Sequence, residues 1–281
     1  MGPSLLITLR EGLEAALIVA VVLAYLHRMD YRRGARAVWW GVAGAVAVSL
    51  LGGALLVALG LTLEGRAEEV FEGVTMLVAV GVLGWMVVWM KHQARHIKRH
   101  LEAQVRSAML KGSTGALAGV AFFAVGREGL ETALFMFAAY QAATPMQTVV
   151  GGLIGLGLAV AMGVVIYRGS RLLNLRVFFN VTGVLLIFVA AGLLARGIHE
   201  LQEAALLPVF VEHVWDSSRV LNEDGGVGLL LQSLLGYNAN PSLVEVLAYI
   251  GFVATSLLYF FRAAPASPAP TTVASGPQHG T

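Results

Sequence analysis

Seven long apolar segments constrain this chain more than any other feature of its sequence. Each is long enough to cross the hydrocarbon core of a bilayer, which takes about 20 residues of helix. Backbone that crosses lipid must satisfy its own hydrogen bonds, so the segments predict an all-α integral membrane protein with seven transmembrane helices. They are Ser4 to about His27, Ala35–Thr62, Ala67–Met90, Ser113–Tyr140, Pro145–Arg168, Arg176–Arg196 and Pro241–Phe261.

The composition agrees with a membrane protein and excludes other classes. Of 281 residues, 57% are hydrophobic and 13% are charged, whereas a typical soluble domain has about a quarter charged residues. A soluble enzyme and a nucleic-acid-binding protein are therefore excluded. The chain contains no cysteine, so it has no disulfide and no metal centre that requires a thiolate ligand.

The basic residues predict the orientation in the membrane. Most of the 19 lysines and arginines lie in the loops after the first, third and fifth segments, and positively charged loops favour the cytoplasm. The N-terminus is therefore predicted outside and the C-terminus inside. Acidic residues lie mainly at the outer face, where they would concentrate cations. The tail 263–281 is rich in Pro, Ala, Ser and Thr and is predicted to be disordered.

The sequence Arg-Glu-Gly-Leu-Glu occurs twice inside the apolar segments. One copy begins at Arg10 in the first segment and the other at Arg127 in the fourth. A charged side chain at the centre of a membrane helix costs roughly 2.5–3.5 kcal/mol on insertion scales, so such charges pair, bind a ligand or face water. The arginines could hold the glutamates through bidentate pairing. The alternative to a binding site is a pair of buried salt bridges that join the two halves of the protein.

The spacing within each copy places two carboxylates on one helix face. Glu11 and Glu14 are three residues apart, as are Glu128 and Glu131, and side chains at this spacing are neighbours. Because the first and fourth segments run in opposite directions, the four carboxylates are predicted to meet near the middle of the membrane. Oxygen ligands of this kind favour hard cations and argue against Cu(I).

This arrangement predicts an inverted repeat with its binding site near the membrane midplane. The first repeat covers about 4–90 and the second about 113–203. An outer loop over 204–240 follows, and a seventh helix over 241–261 completes the membrane domain.

Two further groups of polar residues stand at the outer ends of the segments. Three glutamates begin the third segment, where acids also stabilise a helix N-terminus through its dipole. The sequence His-Glu-Leu-Gln-Glu ends the sixth segment, and its histidine and last glutamate share a helix face. We predict that the two groups form an outer vestibule with metal ligands Glu69, Glu72, His199 and Glu203, supported by Glu68 and Gln202.

These features resemble the high-affinity iron permeases of the oxidase-dependent iron transporter family. The resemblance rests on the doubled Arg-Glu-Gly-Leu-Glu, the glutamate-rich start of the third segment and the His-Glu-Leu-Gln-Glu sequence, and it extends to about Phe261. It implies iron as the transported substrate, no permanently bound cofactor and a bacterial plasma-membrane location. It also implies a separate iron-oxidising or iron-delivering protein outside the cytoplasm. The residues implied to form the iron site are Glu11, Glu14, Glu128 and Glu131, with Arg10 and Arg127 beside them.

Other functions remain open at this point. A transporter of Mn²⁺ or another hard cation fits the same ligands. An intramembrane metallohydrolase would use His199 and Glu200, but Glu203 stands where the second histidine of H-E-x-x-H belongs. A retinal protein is excluded because all three lysines lie in the loop after the third segment. Three histidines of that loop are interpreted as part of a basic helix on the lipid surface rather than a metal site: His92, His96 and His100.

Overall fold

The protein is a bundle of long helices. A computed structural model describes residues 1–93, 105, 107, 114–141, 144–168, 174–211, 214–217, 228, 231–232 and 235–262. These residues form seven α-helices and no strand. The helices are α1 (Gly2–Arg28), α2 (Arg32–Thr62), α3 (Arg66–Gln93), α4 (Thr114–Gln141), α5 (Pro145–Tyr167), α6 (Leu175–Glu203) and α7 (Leu243–Arg262).

The helices follow the apolar segments closely except at the end of α6. The apolar stretch ends at Arg196, but the helix continues through the His-Glu-Leu-Gln-Glu sequence to Glu203, as the predicted shared face of His199 and Glu203 requires. Apolar length measures how much of a helix can lie in lipid, and a polar helix can continue beyond it. The chain then leaves the helix through Ala205, which has a φ of 54°, a left-handed conformation common just after a helix C-terminus. The extension places His199 and Glu203 on a regular helix.

Some of the predictions fall on parts of the chain for which the structure gives no description. These are the predicted disordered tail, 263–281, and two histidines of the third loop, His96 and His100. Both predictions therefore stay as they were.

Five helices are long and apolar enough to cross a membrane: α2, α3, α5, α6 and α7. The other two, α1 and α4, have similar lengths but carry the two Arg-Glu-Gly-Leu-Glu copies. Charge, rather than length, separates them from the five. This set of helices is typical of a multi-pass membrane protein.

The packing pattern is unchanged when the two halves of the bundle are exchanged. Helix α1 packs along α5, and α4 packs along α2. Helices α1 and α4 contact each other, as do α3 and α6. If α1, α2 and α3 are exchanged for α4, α5 and α6, the contact of α1 with α5 becomes that of α4 with α2. The contacts of α1 with α4 and of α3 with α6 are unchanged by the exchange. Helix α7 stands outside this pattern and packs against α6.

Small residues at every fourth position join α1 to α5. A methyl group on Gly155 would lie 2.2 Å from Oγ1 of Thr8 and 2.4 Å from the carbonyl oxygen of Leu5. Such close approach of two backbones is the usual means of packing helices in lipid. The contacts ascend both helices together, so the two run parallel. They pair Ser4 with Gly151, Thr8 with Gly155, Gly12 with Ala159 and Ala16 with Gly163.

The same kind of contact joins α2 to α4. A methyl group on Gly41 would lie 2.2 Å from the carbonyl oxygen of Ala118. These two helices also run parallel, through the pairs Gly41 with Ala118, Ala45 with Gly126, Ser49 with Gly129 and Gly53 with Ala133. The glycine of each Arg-Glu-Gly-Leu-Glu copy, Gly12 or Gly129, therefore faces a small residue of a neighbouring helix.

Helices α1 and α4 run antiparallel through the centre of the bundle. Ile7 lies in the same buried cluster as Phe135, whereas Leu26, near the other end of α1, lies in a cluster with Leu117. Residue numbers therefore rise along α1 as they fall along α4. This direction brings the two charged copies to the same level.

Candidate metal-binding site

Three carboxylates meet where α1 and α4 cross. One oxygen from each of Glu11, Glu128 and Glu131 lies within 4.8 Å of the other two. We call these three residues the inner cluster. Glu11 and Glu128 are buried, and Glu131 is partly buried. Carboxylate oxygens this close together repel one another unless a cation or a proton lies among them.

Each member of the inner cluster has a buried oxygen that no described hydrogen-bond donor reaches. These oxygens are Oε2 of Glu11, Oε2 of Glu128 and Oε2 of Glu131. A buried carboxylate oxygen without a partner is costly, because it has lost water and gained nothing in return. A hard cation would supply the missing partner to all three at once.

Each arginine pairs with the glutamates of its own copy. Nε of Arg10 is 3.3 Å from Oε1 of Glu14, and its Nη1 is 3.9 Å from Oε1 of Glu11. Nε of Arg127 is 2.8 Å from Oε1 of Glu131 and 3.9 Å from Oε1 of Glu128. These four ion pairs each lie within one copy, so they are not the bridges between the two halves that the salt-bridge alternative predicted. They also leave the Oε2 atoms of the inner cluster unsatisfied.

The fourth predicted carboxylate, Glu14, does not join the other three at that spacing. It lies one turn beyond Arg10 on α1, and their side chains form an i,i+4 ion pair. The structure therefore brings together three of the four carboxylates that the spacing predicted and leaves the fourth beside an arginine.

A second group of polar residues lies where α3 begins and α6 ends. Gly73 packs against Gly197: a methyl group on Gly73 would lie 3.0 Å from the carbonyl oxygen of Gly197. This contact brings the acidic start of α3 beside the acidic end of α6. Glu72 has Glu68, Glu200 and Arg196 as charged neighbours, and Glu200 has Glu69, Glu203 and His199. We call Glu68, Glu69, Glu72, His199, Glu200 and Glu203 the outer cluster.

His199 lies between two carboxylates from different helices. Its Nε2 is 3.4 Å from Oε1 of Glu203, and its Nδ1 is 3.1 Å from Oε1 of Glu245 in the first turn of α7. Glu245 follows Ser242 by three residues, which is the spacing of a capping box at the start of a helix. The capping contacts with Ser242 are present, and the contact with His199 is additional. No sequence pattern links residues so far apart. The sequence shows only that Glu245 is an acidic residue in an apolar helix, and the structure shows that it is 2% exposed and therefore needs a partner.

Two other predicted residues have identifiable neighbours. The amide of Gln202 accepts a hydrogen bond from Oγ of Ser242 at 2.9 Å and donates one to the carbonyl oxygen of Pro208 at 3.2 Å. Gln202 thus connects α6 both to the segment that follows it and to the residue just before α7. Glu72 accepts a hydrogen bond from Nε2 of Gln141, which connects the start of α3 to the end of α4.

The chain is similar to known iron permeases over nearly all its length. A family model described as the iron permease FTR1 family matches residues 1–266. A protein named ferrous iron permease EfeU from Escherichia coli O157:H7 is 39% identical over 264 residues, covering 91% of this chain and 93% of that protein. A protein of the same name from Yersinia pestis is 37% identical over 258 residues, covering 91% of this chain and 92% of that protein. No solved structure matches the chain.

Proposed function

The chain belongs to the iron permease family, and we propose that it carries iron across the bacterial plasma membrane through the inner cluster. The observation that carries this proposal is the unsatisfied Oε2 atoms of Glu11, Glu128 and Glu131, which lie where two antiparallel helices cross. Family membership supports iron as the ion. The cluster supports a site between the two halves of the bundle.

Ferrous iron is the proposed form of the ion. Both relatives described above are named ferrous iron permeases. The charges favour the same form, because the arginines of the two copies offset half the negative charge of the four glutamates. A divalent ion balances what remains, whereas a trivalent ion would leave one net positive charge at a partly buried site.

The proposed route begins at the outer cluster and ends in the cytoplasm. The basic loops favour an orientation with the N-terminus outside, which puts the acidic ends of α3 and α6 on the outer side. There the acidic residues attract cations, with Glu69, Glu72, His199 and Glu203 as ligands. A separate extracytoplasmic protein that oxidises or delivers iron is part of the proposal. The proposed transport involves no bound cofactor and no catalysis by this chain.

Alternating access follows from the proposed inverted repeat. The packing pattern of the helices is unchanged by exchange of the halves, and the small-residue contacts of α1 with α5 resemble those of α2 with α4. In transporters built this way, one repeat rocks against the other around a site at the midplane. The inner cluster lies at that boundary.

The experiment that tests this function is radioactive-iron uptake by proteoliposomes that contain the purified protein. We would compare ascorbate-reduced iron with ferric citrate, and the parent with Glu11→Gln and Glu128→Gln. Glu64→Gln, in an exposed position before α3, is the control. Uptake of reduced iron that both inner variants lose and the control retains is the expected result. Full uptake by Glu11→Gln would contradict the proposal, and preferential uptake of Mn²⁺ would replace iron as the substrate.

A further inference from the structure

The carboxylate of Glu245 holds together three parts of the outer end of the bundle. Its Oε1 lies 3.1 Å from Nδ1 of His199 on α6, and its Oε2 accepts a hydrogen bond from Nδ2 of Asn238 at 2.9 Å. The backbone N–H of Ser242 donates to Oε1 at 3.4 Å. The side chain of Glu245 is 2% exposed, whereas that of His199 is 46% exposed. A buried carboxylate therefore fixes one edge of an imidazole whose other edge faces outward.

This contact determines what the outer edge of the imidazole can do. When Nδ1 carries the proton and donates it to a carboxylate, Nε2 presents a lone pair. Histidines that bind metals nearly always have such a partner on the other ring nitrogen, which fixes the tautomer and the ring orientation. Glu245 gives His199 that partner.

A second ligand stands at the right distance from Nε2. Oε1 of Glu203 lies 3.4 Å away, and the Glu203 side chain is 55% exposed. Two ligand atoms that each bind one ion at about 2.1 Å lie roughly 3.0–3.4 Å apart. Because His199 and Glu203 are one turn apart on the same helix, α6 itself maintains this separation.

We propose that His199 and Glu203 form an outer binding site for a divalent cation and that Glu245 is its positioning residue. Nε2 of His199 and a carboxylate oxygen of Glu203 bind the ion, and Glu245 acts only through the ring. The proposal rests on the proposed function, since this site would receive the ion before the inner cluster does. Glu200 is a charged neighbour of both ligands and strengthens the local attraction for cations.

A purely structural role for Glu245 makes a different prediction. Glu245 also anchors the segment before α7, through Asn238 and Ser242. If anchoring were its whole role, Asn238→Ala would affect ion binding as Glu245→Leu does. Asn238→Ala removes the donor to Oε2 but leaves the contact of Oε1 with His199, so it is a matched control.

The test uses the full chain with the inner cluster inactivated by Glu11→Gln and Glu131→Gln. Mn²⁺ is the probe, and its binding to purified protein is followed by electron paramagnetic resonance. This background should bind one Mn²⁺ per chain, and His199→Ala or Glu203→Gln should remove it. Glu245→Leu should weaken binding about 10–100-fold, the usual cost of losing such a partner. Glu245→Gln, whose amide oxygen still accepts from Nδ1, should restore most of the affinity, and Asn238→Ala should retain it.

Three results would overturn this proposal. They are a background protein that binds no Mn²⁺, a Glu245→Leu variant with undiminished affinity, and an Asn238→Ala variant that loses as much affinity as Glu245→Leu. Thermal unfolding of each variant shows whether it is folded, and the Gln variant covers the case in which the Leu variant is not. Failure here leaves iron uptake through the inner cluster standing, because that uptake is measured with the inner residues intact.

Discussion

The two Arg-Glu-Gly-Leu-Glu copies have identical sequences and different surroundings. The side chain of Arg10 is 2% exposed, whereas that of Arg127 is 42% exposed. Arg127 lies 2.8 Å from Glu131, which belongs to the inner cluster, while Arg10 lies 3.3 Å from Glu14, which does not. One half of the site is therefore enclosed and the other is open.

The difference arises from packing around the copies. The helix face of α4 that carries Arg127 also carries Phe123, 76% exposed, and Leu130, 47% exposed. On α1, Leu13 occupies the position equivalent to Leu130, and it is fully buried. An arginine that faces hydrocarbon is costly, so we expect water to reach the inner cluster past Arg127. The sequence repeat supplies the same side chains twice, and the neighbouring helices determine how exposed each copy is.

The largest expected effect is loss of the site shared by both copies. Glu11→Gln or Glu128→Gln removes a buried ligand charge from α1 or α4 and should abolish iron uptake. Because the two residues hold equivalent positions in the copies, the losses should be equal. Uptake by proteoliposomes measures this, and a clear difference between the two variants would mean that only one copy binds the ion.

The arginines should differ strongly in their contribution to stability. Arg10→Ala leaves buried carboxylates without their partner, which typically costs about 3–5 kcal/mol. Arg127→Ala should cost less, because Arg127 is 42% exposed and water can replace part of its contact with Glu131. Thermal unfolding in detergent compares the two. Equal losses of stability would show that the enclosed and open halves are not distinct.

The close helix contacts can be tested with pairs of glycine variants. Gly155→Ala and Gly41→Ala place a methyl group against a backbone carbonyl oxygen at 2.4 and 2.2 Å, and such overpacking costs typically about 1–3 kcal/mol. Gly157→Ala and Gly119→Ala have nothing within 4 Å and serve as controls. The first pair should unfold at lower temperature than the parent and the second pair should not. Unchanged stability of Gly155→Ala would contradict the packing of α1 against α5.

Variants of the two remaining glutamates, Glu14 and Glu131, should differ in their affinity for iron. Glu131→Gln removes a member of the inner cluster, so it should weaken Fe²⁺ binding more than Glu14→Gln does. Equilibrium binding of radioactive Fe²⁺ to purified protein provides the comparison. An equal loss in both variants would indicate that Glu14 also binds the ion.

The smallest expected effect is a dependence of uptake on pH. Protons compete with a cation for carboxylate ligands, so uptake should fall as the external pH approaches about 4, where glutamate ordinarily takes up a proton. Initial rates measured over a pH series test this. A rate that stays constant down to that pH would argue against carboxylate ligands.

The sequence was sufficient to predict the helices and the meeting of the two copies. Apolar length identifies a membrane helix directly. Charged side chains on two antiparallel membrane helices must avoid lipid, so they are expected to face one another. It was not sufficient for the position of Glu14 or the exposure of Arg127, because both depend on neighbours from other helices. The contact of Glu245 with His199 was not predicted for the same reason. The stripe of small residues through Gly151 and Gly155 was visible in the sequence, but it became interpretable only when its partner helix was known.

The most direct test of the inner cluster is the number of iron ions that bind when the outer site is removed. Protein with His199→Ala would be loaded with Fe²⁺ under reducing conditions, and bound iron would be counted per chain. We expect one ion in this protein and none after the further changes Glu11→Gln and Glu128→Gln. Iron that remains bound without Glu11 and Glu128 would contradict a site between α1 and α4.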